Sequence, residues 1–149
     1  GIYYWFPKMT GKKMSEMLGK MHFWPSLIFM NGIFMPMFIQ GLAGVSRRLA
    51  DGGQSYAHAS GVLEWNEFMS ISAFCLGIAQ IPFIVNILMS LFSGAKASRN
   101  PWDSTTIEWA APSPPVGHGN FDGPINVYHT AYEYSVPDDK KDFKPQFEN

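Results

Sequence analysis

Two long stretches of this chain contain no Asp, Glu, Lys or Arg: Met21 to Ser46 and Phe68 to Ala95. About 20 apolar residues cross a bilayer as a helix, so each stretch is long enough. Lipid offers no partner to a backbone N–H or C=O, and a helix satisfies both internally. The expected fold class is therefore an all-α membrane protein built on a transmembrane helical hairpin. The overall hydrophobic share of 46% would suit a soluble protein, but that average conceals how the charges are divided. Residues 1–99 hold eight Lys/Arg against four Asp/Glu, and residues 100–149 hold three against eight.

Lysines cluster before the first span, and Lys96 and Arg99 follow the second. By the positive-inside rule these basic flanks face the cytoplasm and the connecting loop faces out. Arg47 and Arg48 lie at that outward mouth, against the rule, and the pattern demands an anionic partner there. Snorkelling to phosphate headgroups is the alternative use of such a pair. No strong basic surface suggests nucleic acid. The single cysteine, Cys75, lies inside an apolar span, which leaves neither a disulfide framework nor metal-ligand spacing.

Five regions follow. Residues 1–20 read as the end of a preceding transmembrane helix and a cytoplasmic loop. Tyr3-Tyr4-Trp5-Phe6 form an interfacial aromatic belt, Pro7 is expected to stop the helix, and Gly11 to Lys20 suggests an interfacial turn or a plain loop. With no Met and no basic n-region ahead of an apolar core, the start does not read as a signal peptide, and a piece of a longer polypeptide is expected. Residues 21–46 form the first span, with a kink expected at Pro36. Its Gly32, Pro36, Gln40 and Gly44 make a stripe of small or polar residues, suited to a neighbouring helix or a flat cofactor. Residues 47–64 form the outer loop. Residues 65–93 form the second span, carrying Gln80, Pro82 and Asn86, with a small-residue face at Ser70, Ala73 and Gly77. Polar amides in lipid usually face protein, so the hairpin belongs to a larger bundle. Residues 94–149 form an extended, Pro- and aromatic-rich cytoplasmic tail. Its Trp102, Trp109, Phe121, Tyr128, Tyr132 and Tyr134 suggest a ribbon against a protein surface; a disordered tail is the alternative from residue 116 onward.

Several anchors together resemble subunit I of the haem–copper terminal oxidases, the cytochrome c oxidase family. They are Tyr3-Tyr4-Trp5-Phe6-Pro7-Lys8-Met9-Thr10-Gly11, His22-Phe23-Trp24, Phe34-Met35-Pro36, Gly41-Leu42-Ala43-Gly44-Val45-Ser46-Arg47-Arg48, Trp65-Asn66, and Thr106-Ile107-Glu108-Trp109-Ala110-Ala111-Pro112-Ser113-Pro114-Pro115. The resemblance runs to about Phe121 and implies the end of family helix ten, all of helices eleven and twelve, and the cytoplasmic C-terminus. Ser46 stands where the family usually has Pro, and Phe38 where it often has His; both suggest a divergent bacterial branch.

The resemblance implies that Arg47 and Arg48 bind the propionates of the two haems. It implies two a-type haems and copper in the whole subunit, with only haem contacted here. Catalytic residues and metal ligands are expected outside this segment; His22, His58, His118 and His129 match none of the family's ligand motifs. His22 reads as a capping or interfacial histidine, and His118 and His129 as tail residues that are solvated or make surface contacts. The implied activity is reduction of dioxygen to water with proton pumping. The implied partners are the rest of subunit I, oxidase subunits II and III, cytochrome c or a similar donor, and the lipid bilayer of a bacterial inner (plasma) membrane. A quinol oxidase subunit I, or a haem-free two-helix assembly or scaffold protein, stays open.

Overall fold

The computed structural model describes every residue except 122, 131, 132, 134–139, 141–143 and 149, so Tyr132 and Tyr134 lie outside the described residues. The chain divides into two compact units. One holds Glu16–Ile87; the other joins Gly1–Ser15 to Leu88–Asn149.

In the first unit, α2 (Glu16–Leu42) runs without interruption through Pro25 and Pro36. (The preceding helix, α1 (Ile2–Thr10), belongs to the other unit.) It starts five residues before the expected Met21, because Met17 and Leu18 continue its apolar pattern and Glu16 sits favourably in the first turn. It also stops short of Ser46. Gly44 takes a φ of 84°, its N–H bonds Gly41 O at 3.1 Å, and the Val45 N–H reaches back to Gln40 O at 3.0 Å. This is a Schellman ending, in which a left-handed glycine lets the last carbonyls find donors.

A short helix α3 (Ser60–Leu63) precedes the second span, which runs from Trp65 to Ser93 in two pieces, α4 (Trp65–Ala79) and α5 (Ile81–Ser93). Pro82 explains the break: it has no N–H for the carbonyl of Ile78. The chain tightens there, with the Gln80 N–H bonding Gly77 O at 3.1 Å.

α2 and α4 pack through the expected stripe. A Cβ added at Gly32 would stand 2.7 Å from Ser72 Oγ, and Pro36, Gln40 and Ser72 are buried. Gly32 and Pro36 therefore serve helix packing within this chain, whereas Gly44, the last residue of the stripe, is exposed beyond the end of α2. Ser70, Ala73 and Gly77 face away from that contact and are exposed. Both spans stay mostly exposed, with bulky apolar residues such as Phe38 and Phe74 pointing outward. His22 is no cap: it lies six residues inside α2, bonds Gln80 Oε1 at 3.1 Å and stacks on Phe83.

In the second unit, α1 (Ile2–Thr10) passes through Pro7 and ends at Gly11, whose φ is 69°. Pro7 does not stop the helix, since a proline removes one donor while Gly11 supplies the left-handed exit. Any side chain at Gly11 would also strike Pro114, 2.7 Å from an added Cβ. A minimal antiparallel pair, β1 (Lys12–Lys13) with β2 (Ala95–Lys96), is the one addition to the all-α expectation among the described residues.

The core of this unit is Trp109, only 1% exposed. It stacks on Trp5 with ring centroids 5.8 Å apart, meets Tyr4 edge-on, and donates its indole N–H to Tyr4 Oη at 2.7 Å. Lys8 Nζ lies 4.8 Å from the Trp109 ring centroid and donates to Ala111 O at 2.9 Å and Pro112 O at 3.3 Å. Farther along, Gln146 ties the tail back: its N–H bonds Thr105 O at 2.8 Å and its side chain accepts from the Ile107 N–H. The stretch from Trp102 to Pro112 lies as a ribbon on α1, and Gln146 packs in turn on that ribbon.

Trp109→Ala removes the largest buried side chain of this unit and should cost about 3–5 kcal/mol. Limited proteolysis of the assembled complex should then release fragments beginning between Asn100 and Pro115, whereas His118→Ala, at an exposed position, should leave the pattern unchanged.

Candidate functional site

The loop between α2 and α4 is built by short-range chemistry. Asp51 opens a tight turn: its carboxylate accepts from the Gly53 N–H at 3.0 Å, the Ser55 N–H at 3.1 Å and the Ser55 hydroxyl. Gly52 and Gly53 take φ values of 65° and 91°, which favour glycine. Gly53 is also buried, and a Cβ there would press on Leu63, Val45 and Leu49. His58 Nε2 bonds Ala43 O at 3.1 Å, linking the far side of the loop to the end of α2.

The Ser55 hydroxyl bond, followed by the backbone bonds, holds the Asp51 carboxyl below the usual carboxylate range. A depressed carboxyl pKa contributes order above the ordinary value of about 3.9, and that order is lost as pH falls through the lowered value.

Arg47 and Arg48 are both exposed, and both line one cleft of about 400 Å³. Its other walls mix carboxamides, Gln40 and Asn66, with apolar side chains that include Phe34, Met37 and Met69. Arg48 has a φ of 60°, unusual for a residue with a side chain, and a left-handed residue of this kind costs of order 1–2 kcal/mol. The cleft can therefore receive an anion whose body is apolar. Guanidinium stays charged and offers a planar fork that fits carboxylates.

Gln40 and Asn66 were not expected at this site, although Gln40 lay in the stripe and Asn66 in a recognised motif. Their signal was polarity near the end of an apolar span. The histidines stay apart: His118 is exposed, His129 pairs with Glu133 at 3.2 Å, and His22 and His58 bond as described. Among the described residues, no group of three His, Cys, Asp or Glu forms a metal-binding cluster.

Residues 1–108 match the family model described as cytochrome C and quinol oxidase polypeptide I. The chain belongs to this family. It is 42% identical over 146 residues to the alternative cytochrome c oxidase subunit 1 of Bradyrhizobium diazoefficiens, an alignment covering 97% of this chain and 25% of that protein. It is 40% identical over 136 residues to cytochrome c oxidase subunit 1 of Synechocystis sp., covering 91% and 23%. With the subunit of Corynebacterium efficiens the identity is 37% over 140 residues, covering 92% and 23%. The chain thus spans about a quarter of the length of these relatives. Membership in the oxidase family, together with two apolar spans, makes it a membrane protein.

Asp51→Ala should speed amide hydrogen exchange at Gly53 and Ser55 about ten-fold, the equivalent of one net hydrogen bond. Asp51→Asn keeps one acceptor oxygen and should have a smaller effect. Between pH 6 and 8 the difference from the parent protein should stay constant, because the carboxyl remains ionised throughout.

Proposed function

We propose that this chain is the C-terminal part of the catalytic subunit I of a respiratory cytochrome c oxidase. In this reading the whole subunit holds two a-type haems and copper, and the enzyme reduces dioxygen to water while pumping protons. The observation that carries the reading is the cleft: two arginines, a glutamine and an asparagine line it together with apolar residues, at the loop of a membrane hairpin. A haem joins two carboxylates to one edge of a flat apolar ring, and this donor set fits it. Arg47 and Arg48 would hold the carboxylates, and Phe34, Met37 and Met69 would face apolar parts of the group. When bound, a haem supplies one-electron redox chemistry.

The part played by this chain is electrostatic. Carboxylates taken out of water must be paired, and arginine remains charged when partly desolvated. A fixed cation also favours the reduced haem. One charge at about 10 Å, with an effective dielectric near 20, is worth roughly 1.7 kcal/mol, or about 70 mV for a one-electron couple.

The names of the relatives favour cytochrome c as the electron donor over quinol. The basic flanks favour an inner-membrane orientation with the tail in the cytoplasm and the arginine loop outside. Partners in this reading are the rest of subunit I and oxidase subunits II and III.

Arg47→Ala or Arg48→Ala in the complete oxidase should lower the midpoint potential of at least one haem by several tens of millivolts. Unchanged potentials in both variants would refute the propionate role. Orientation has its own check: in intact spheroplasts, an impermeant maleimide should label Gln54→Cys and should not label His118→Cys until the membrane is opened.

A further inference from the structure

A chain of side-chain amides crosses from α2 to α4 and ends on the loop that carries the arginines. Gln40 is 7% exposed, and its Nε2 donates to Val62 O and to Asn66 Oδ1, each at 2.9 Å. Asn66 Nδ2 then donates to Gly52 O at 2.9 Å. The direction of the chain is set by its two ends. Val62 O and Gly52 O are carbonyls that can only accept, so Gln40 and Asn66 must each present nitrogen to them. Asn66 Oδ1 is left to take the second Gln40 hydrogen.

The consequence is geometric. Gln40 supplies the carbonyl that accepts the Val45 N–H in the Schellman ending of α2, and Gly52 follows the arginine segment. Residues 43–51 therefore form a loop whose two flanks, Gln40 and Gly52, are tied to one side chain, that of Asn66. Within it Arg48 keeps a left-handed φ of 60°, a conformation that persists only when its surroundings hold it.

We infer that Gln40 and Asn66 are positioning residues that hold Arg47 and Arg48 toward the cleft through the Val62–Gln40–Asn66–Gly52 hydrogen-bond chain. This inference rests on the proposed haem-propionate role of the arginines.

The test uses the complete oxidase carrying Asn66→Leu, Gln40→Leu, Arg48→Ala and the double variant Asn66→Leu/Arg48→Ala. Asn66→Leu should speed exchange of the Gly52 and Gly53 amides about ten-fold, as expected for one lost hydrogen bond. It should also lower the haem potential in the same direction as Arg48→Ala, by a smaller amount. In the Arg48→Ala background the further shift should be clearly smaller than in the parent, because the two residues act through one loop. Gln40→Leu suits an apolar span and should reproduce both effects, so it decides the matter if Asn66→Leu does not assemble. The inference is overturned if exchange is unchanged, or if the potential shift from Asn66→Leu is absent or fully additive with that of Arg48→Ala. Should Arg47→Ala and Arg48→Ala themselves leave the potentials unchanged, the propionate role fails, and exchange at Gly52 alone then decides whether the amides hold the loop.

Discussion

A helix pair in lipid has only a narrow face on which to place polar groups, and here that face depends on the close approach of α2 and α4 at Gly32. Only hydrogen stands where a Cβ would come 2.7 Å from Ser72 Oγ. A larger residue would push the helices apart, and the effect would reach two turns up, where Gln40 and Asn66 meet at hydrogen-bond distance. Amide bonds between membrane helices are worth about 1–2 kcal/mol, enough to fix register only if both partners arrive aligned. Close packing brings the amides together, and the amides in turn anchor the arginine loop.

The other unit solves a boundary problem by different means. α1 opens with aromatic rings, and Lys8 brings a charge against the Trp109 ring packed on them. An ammonium with so little exposure needs several partners, and it finds the Trp109 face and two backbone carbonyls. Those carbonyls belong to Ala111 and Pro112, so satisfying the lysine also fastens the tail. Gly11 completes the arrangement, since its left-handed turn and its contact with Pro114 both exclude a side chain. Rings, a cation and a glycine thus order a stretch whose composition alone argued for an extended segment.

The legible parts of the fold were those governed by long-range averages. Charge-free runs identify spans because lipid penalises every ion along some 30 Å. The stripe through Gly32, Pro36 and Gln40 was visible because small and polar residues at four-residue spacing stand out against Phe, Met and Ile. What could not be read were choices between near-equal local states. Pro7 forfeits one bond and leaves α1 free to continue, while Pro82 breaks the second span at Gln80; the same residue has different outcomes because the neighbouring turns differ. The helical start at Glu16 was hidden by the polarity of its first turn. His22 resembled a cap because the polar first turn masks the helical residues that precede it. At the site, the arginine pair was legible as a breach of the charge rule. Its support by Gln40 and Asn66 was not, since it needs a contact between residues 26 apart.

The conformation of Arg48 accounts for how adjacent residues serve one cleft. Neighbouring side chains diverge by about 100° around a helix and by about 180° along a strand. Two consecutive arginines in either geometry would point to different environments, and only one would meet a shared ligand. A left-handed φ at the second residue turns its side chain away from the direction regular structure would impose, and both arginines line the same cleft. Glycine would adopt that φ freely but brings no charge, and a β-branched residue would resist it. The placement is unfavourable on two counts, backbone strain and the proximity of like charges, and an anion in the cleft relieves the second directly. A loop held at both ends by Asn66 is what allows the first to persist.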